Sequence, residues 1–385
     1  YGDHRDLHSF PPRRSSDLDA RVTRRGFVKT SVVAATAASV GWRATSSLGM
    51  DTIPDEVKST RSYNEQMEYR RLGRTGLWVS AVCLGGHWKR IDKVLGTAGE
   101  INPYEGPDKQ EDLAAFMKNR SEVVDRCIAA GINCIDFAGN AEPETYCRVL
   151  RGRRDAMYLC YSHPASELRE PPNCTAPRLV ELFEAGLKRC GLEYADVWRL
   201  MAYERGSDHS QADVDAMIEA LRIAKQKGLC RHTGFSTHDA KWARKLIETY
   251  ADELEMLCMP YSVVSKQAAE NSLLDTLRKH DVGVLAIKPF ASNSLFVGDG
   301  SPDGPHVEQD DRRARLAIRK ILGNPAITAP IPGLVSAHQV DNVVAAIREP
   351  RTLDDAEQAD VEQISQEVRD RLPADYLWLK EWEYV

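Results

Sequence analysis

The stretch "NCIDFAGNAEPETY", residues 133–146, closes an apolar run with Asp136 and then supplies Glu142 and Glu144. A carboxylate in such a place can serve as acid, base or counter-ion, or can simply accept hydrogen bonds from nearby backbone amides. His87, His163, His238 and Glu204 are further candidates: a His/Glu cluster can run acid–base chemistry or hold a metal, and the same residues are also ordinary decoration for loops at a protein surface. Ser236 can cap the helix that follows it, and Tyr261 and Phe290 can be packing residues. Nine cysteines include no CxxC and no paired His spacing, so no zinc or iron–sulfur pattern is present and no metal is expected. Most of them lie inside apolar runs, where a buried free thiol is the plain reading, although Cys127 and Cys134 could still pair.

Those residues sit between elements that alternate regularly. From Met67 onward, strand-length apolar runs ("WVSAVCLG", "NCIDFA", "AMYLCYS", "DVWRLMAY", "CRHTGFS", "EMLCMPYS", "GVLAIKPF", "AITAPIPG") alternate with amphipathic helix-length runs. Eight strand–helix units in about 280 residues predict an α/β fold, a (β/α)8 TIM barrel with a C-terminal helical tail. Gly131, Gly228 and Gly283 stand at helix-to-strand joins and are expected to be left-handed helix caps. The tail, residues 351–385, reads as a charged helix followed by "DYLWLKEWEYV", whose aromatics are expected to pack across a barrel face or in a subunit contact.

The regions before the barrel carry different information. Residues 1–18 read codon for codon, apart from Pro12 in place of an expected Thr, as a translated sequencing adaptor and are set aside as an assembly artefact. Residues 19–45 hold "TRRGFVKTSVVAATAASVGW", with Arg24 and Arg25, Phe27, Lys29 and a short run of small apolar residues. That pattern is a bacterial twin-arginine export signal, which implies the twin-arginine machinery as a partner, a periplasmic or extracytoplasmic location, and no stable membrane span after signal removal. Residues 46–66 read as a linker and 67–350 as the barrel. A formal net charge of −6 over 385 residues, with no basic patch interleaved with aromatics, argues against nucleic acid as a partner.

Between Met67 and Ile347 the chain resembles the aldo/keto reductase family. "MEYRRLGRTGLWVSAVCLGG" is similar to the family's opening hairpin and first strand, "GLKRCGLEYADVWRL" to its third helix and fourth strand, and "GLCRHTGFSTHD" to its fifth strand. "MPYS", "GVLAIKPF" and "IPGLVSAHQVDNVVAA" resemble the sixth, seventh and eighth strand regions. The resemblance implies hydride transfer between NADPH and a carbonyl, with a Tyr as proton donor, a Lys paired to an Asp lowering the Tyr pKa, and a His orienting the carbonyl. Asp136 occupies the Asp position. The Tyr, Lys and His positions hold Ala141, Ser162 and Met201, none of which can do the original work, and Tyr146 falls on the following helix.

The cofactor side of the resemblance is better kept. It implies nicotinamide carboxamide binding by Ser236 and Thr237, ring stacking by Tyr261, and an adenosine-phosphate cradle from Gly333, Ser336, Gln339 and Asn342 at a helix N-terminus. Cys258 replaces the family's Gln, and Val335 stands where a basic residue would pair with a 2′-phosphate, which favours NAD over NADP or no dinucleotide at all; the cofactor expected is NAD or NADP. Two functions follow. One is an oxidoreductase interconverting a carbonyl and an alcohol on a small-molecule substrate, with a non-standard or lost proton-transfer site. The other is a non-redox exported barrel, binding a sugar or small molecule or acting as a lyase or hydrolase through residues such as Glu142, His163 and Glu204.

Overall fold

The computed structural model describes residues 53–265 and 272–381. The segment expected to be an export signal and the adaptor-like stretch lie outside the described residues. The chain enters through α1 (Asp55–Lys58) and a hairpin of β1 (Tyr69–Arg71) and β2 (Trp78–Ser80). The barrel then alternates: β3 (Leu84–Gly85), α2 (Ile91–Leu95), α3 (Gln110–Ala130), β4 (Cys134–Asp136), α4 (Glu142–Val149), β5 (Tyr158–Tyr161), α5 (Ala176–Cys190), β6 (Ala195–Met201), α6 (Gln211–Gln226) and β7 (Cys230–Ser236). It continues with α7 (Ala240–Thr249), β8 (Met256–Pro260), α8 (Leu273–Lys279), β9 (Gly283–Ile287), α9 (Val307–Leu322), β10 (Ala329–Pro330) and α10 (Ala337–Arg348), followed by α11 (Asp355–Arg371) and α12 (Trp378–Glu381).

Strands β3 to β10 form one eight-stranded parallel sheet in sequence order. Its two edges meet where the Cys83 amide donates to the Pro330 carbonyl at 3.0 Å. Parity along each strand separates two cores. Inward residues such as Cys83, Cys134, Cys160, Val197, Met256, Cys258 and Leu285 fill the barrel, and Leu72 and Val79 of the hairpin join them. Outward residues such as Ile135, Leu159, Trp198, Phe235 and Leu257 meet the helix layer. All nine cysteines are free thiols; Cys127 lies in the helix layer and Cys134 inside the barrel, which separates the two that spacing left open.

Two expectations need correction. Residues 53–66 are not a loose linker: Thr60 Oγ1 donates to the Trp78 carbonyl at 2.7 Å, and Arg61 pairs with Asp196 at 2.9 Å. Asp196 is fully buried at the start of β6, and a buried carboxylate requires cations, here Arg61 and Arg154. Gly131 and Gly228 adopt the expected positive φ, but the left-handed residue before β9 is Asp281 (φ 50°). Gly283 is small for a different reason, since a Cβ there would sit 2.6 Å from the Leu72 backbone. Among the described residues no helix is long and apolar enough to cross a membrane.

Candidate active site

At the C-terminal ends of the barrel strands lies a cavity of about 500 Å³, the size of a small-molecule site. Its floor is made by Asp136 and Arg199. The guanidinium meets the carboxylate through two bonds, Nε to Oδ1 at 2.7 Å and Nη2 to Oδ2 at 3.1 Å. Two further bonds run from Nη1 to Ser236 Oγ and from Nη2 to the Phe137 carbonyl, both 2.7 Å. Both side chains are almost fully buried. Burial pushes the Asp136 carboxyl up and Arg199 opposes that shift, while the nearby carboxylate lifts Arg199 above its ordinary value against the cost of its own burial. The two-bond geometry is that of an ionised pair.

Sequence reasoning passed over Arg199. The available signal was a cation inside the apolar run "DVWRLM", two residues from Met201 and therefore on the same inward face of β6. From β6 this arginine supplies Asp136 with the cation that the resemblance assigns to the third barrel strand. Ser162, at that third-strand position, is turned to other work. Its hydroxyl donates to Glu167 at 2.8 Å, and the same buried carboxylate accepts from Met201 N (2.8 Å), His163 N (3.1 Å) and Trp198 Nε1 (3.3 Å). Glu167 thus ties the ends of β5 and β6 together, and burial raises its pKa.

Around the floor the lining is rich in cations: Lys89, Arg169 and Lys288, with His87 and His238. Burial lowers the pKa of Lys288 and Arg169, and it holds His238 well below the ordinary imidazole range with Lys288 and Arg169 adding to the effect. Glu204 also lines the cavity, whereas His163 does not and bonds Ser166 Oγ at 2.8 Å. Glu142 is fully buried and caps the Ala138 amide at 2.6 Å, with His87 Nδ1 at 3.3 Å. Tyr146 is buried in the helix layer, where its hydroxyl receives Trp88 Nε1 at 2.9 Å.

Of the cofactor residues expected from sequence, Ser236, Thr237 and Gly333 line the cavity with Asp136. Ser236 Oγ accepts from Arg199 and keeps its own proton to donate. Thr237 Oγ1 is committed to the adjoining loop, donating to the carbonyls of Tyr203 and Glu204 and accepting from Asp239 N. Tyr261 is not on the cavity. One residue past β8 on its outward parity, it is buried in the helix layer, and its hydroxyl accepts from Asn324 Nδ2 at 2.9 Å. Ser336 caps α10 by accepting from Gln339 N, Gln339 Oε1 accepts from Val335 N at 2.8 Å, and Asn342 bridges Arg315 (2.7 Å) and the Asp311 carbonyl (3.0 Å). Val335 is buried; Arg120 donates to the Leu334 carbonyl just before this helix at 2.9 Å, and Arg315 reaches Asn342 in its second turn, two cations that sequence reasoning missed.

The sequence model of the aldo/keto reductase family matches residues 94–315, more than half of the chain. The chain belongs to the aldo/keto reductase family. Within the family it is similar to the L-glyceraldehyde 3-phosphate reductase of Escherichia coli K12, 24% identical over 275 residues that cover 67% of this chain and 72% of that protein. It is also similar to the L-galactose dehydrogenase of Arabidopsis thaliana, 24% identical over 313 residues, covering 75% and 90%. Among solved structures, an aldo-keto reductase from Klebsiella pneumoniae in complex with NADPH superposes with a TM-score of 0.57 at 20% identity, covering 78% of this chain and 95% of that one. The holo form of aldo-keto reductase AKR11C1 from Bacillus halodurans gives 0.53 at 19%, covering 77% and 96%. The family's (β/α)8 barrel is the fold of this chain.

Proposed function

We propose that this family member is an NAD(P)(H)-dependent oxidoreductase that interconverts a carbonyl and an alcohol on a small anionic substrate, through a rebuilt proton-transfer site. The observation that carries this reading is the buried Asp136–Arg199–Ser236 network at the floor of a cavity lined by Lys89, Arg169 and Lys288. Buried charge held in place by several hydrogen bonds is what a site for a developing alkoxide needs, because its dipoles are already oriented before reaction. The cationic lining suits an anionic substrate or cofactor phosphates. The similarity to a protein named for reducing glyceraldehyde 3-phosphate supports an anionic carbonyl compound.

The residues present fit a dinucleotide. Gly86 and Gly333 approach so closely that a Cβ on Gly86 would lie 3.1 Å from the Gly333 Cα, leaving the cavity edge without side chains there. Ser236 would hold the carboxamide, the capped start of α10 would face a phosphate, and Arg315 beside Asn342 supplies the cation that Val335 lacks. Bound nicotinamide would supply the hydride. Export by the twin-arginine route, supported by residues 23–42, would place the loaded protein outside the cytoplasm. The non-redox reading rests on Glu142, His163 and Glu204; Glu142 is held by the Ala138 amide and His163 by Ser166, and of the three Glu204 lines the cavity.

Calorimetric titration of NADH and NADPH into the full chain tests the proposal. Binding in the micromolar range or tighter is expected, and a folded sample that binds neither would remove the redox reading.

A further inference from the structure

The family's phenol position holds Ala141, yet a phenol does reach this cavity from the opposite end of the chain. After α11 the chain turns at Pro373 and brings Tyr376 to the cavity lining, with Trp378 stacked on His238 at 4.6 Å between ring centroids. Tyr376 OH receives Lys89 Nζ at 3.2 Å, and the same ammonium donates to Ser292 Oγ at 2.6 Å. Lys288 Nζ lies 5.2 Å from the center of the Tyr376 ring.

The segment that presents these partners is strained. Lys288, Ala291, Ser292 and Asn293 all have positive φ, between 46° and 70°, without a glycine among them. Non-glycine residues are held in that region only where surrounding contacts enforce it, and such residues concentrate at functional sites. The other phenols differ. Tyr104 lines the cavity against the His87 ring with burial raising its pKa, and Tyr146 and Tyr261 face the helix layer.

We propose that Tyr376, held by Lys89 and Ser292, is the proton donor of this enzyme, replacing the phenol absent at position 141; this rests on the redox reading above. In the reducing direction, hydride arriving at the carbonyl carbon forms the new C–H bond. The C=O π pair moves onto oxygen, which takes the Tyr376 proton. The phenolate left behind is stabilised by the Lys89 ammonium and regains a proton from solvent at the half-exposed ring. The net change is carbonyl plus NAD(P)H plus a proton to alcohol plus NAD(P)⁺. Burial opposes ionisation of Tyr376, but Ser292, Lys288 and Lys89 together bring its pKa below the ordinary phenol value. The charged and titratable groups around it are Lys89, Lys288 and Tyr104, with Arg169 and Glu204 further out. A donor tuned downward in this way transfers its proton more readily near neutral pH.

The test has two readouts on the full chain. Ultraviolet difference titration without cofactor should show one phenol ionising below about pH 10, the ordinary value. That titration should be absent in Tyr376→Phe and moved upward in Lys89→Met. NADPH oxidation with 4-carboxybenzaldehyde, an anionic aldehyde, should fall by about 10²- to 10⁴-fold in Tyr376→Phe, with NADPH affinity by calorimetry unchanged. The proposal is overturned if Tyr376→Phe keeps the low titration, if it keeps turnover within about threefold of wild type, or if wild type binds NADPH without reducing the aldehyde. Absence of NADPH binding by wild type would instead overturn the redox reading, and the proton-donor role with it.

Discussion

Replacing Arg199 by methionine should convert the buried pair under the cavity into a buried lone carboxylate. Asp136 and Arg199 are each about 1% exposed at the side chain, so water cannot replace the lost guanidinium. Removing one partner of a pair buried to this degree costs about 3–5 kcal/mol. A second route gives the same size. With its counter-ion gone, Asp136 should take up a proton in the folded state, while the unfolded chain still ionises near pH 4; at about 1.36 kcal/mol per pH unit, the three units from pH 4 to pH 7 amount to roughly 4 kcal/mol. The sign follows from the direction of the shift. A carboxyl whose folded pKa is raised contributes fully below its unfolded pKa and loses that contribution as pH rises through the folded value. The Arg199→Met deficit should therefore be small near pH 4 and grow toward neutrality. Urea melts of wild type, Arg199→Met and the charge-free double variant Arg199→Met/Asp136→Asn, at several pH values, read this directly. The double variant should recover most of the loss at pH 7 and remain about 1–2 kcal/mol below wild type, because the Phe137 carbonyl stays without its donor. A deficit under about 1 kcal/mol, the size seen for exposed pairs, or one that does not change with pH, would refute the reasoning.

Glu255, bonded by His232 at 2.9 Å and Lys225 at 2.7 Å, has its pKa pulled down to about 2 against the opposing effect of burial. It should contribute its full stability above the unfolded carboxyl pKa and lose it as pH falls below that range toward about 2, so Glu255→Gln should destabilise by about 2–3 kcal/mol at neutral pH and flatten the acid limb of a melting-temperature profile. Gly234→Ala should lower the melting temperature markedly, since the new Cβ would lie 2.5 Å from the Met256 carbonyl oxygen and 2.7 Å from its sulfur; differential scanning calorimetry checks this. Starting the chain at Met67 should cost several kcal/mol, because Arg61 leaves Asp196 with Arg154 alone and Thr60 no longer covers Trp78; comparing urea midpoints against a chain starting at Ile53 shows it. Lys288→Met should weaken NADPH binding and flatten its salt dependence, measured by calorimetry at two ionic strengths.

The alternation of apolar strand runs with amphipathic helix runs was enough to fix the barrel, because burial on both faces of a parallel sheet writes itself into local composition. Asp136 was legible for the same reason: a carboxylate ending such a run stands out. The capped start of α10 at Ser336 was legible too, since capping is a short-range interaction. What sequence alone could not decide was which distant residues meet at the mouth. Arg199 lies 63 positions from the carboxylate it pairs with, and Tyr376 lies 287 from Lys89. Tyr261 shows the same limit in reverse, since a single step of strand parity turned its ring from the cavity to the helix layer. Strand and helix identity come from neighbors along the chain, whereas the partners of a buried charge are set by barrel closure and by where the C-terminal tail crosses the rim.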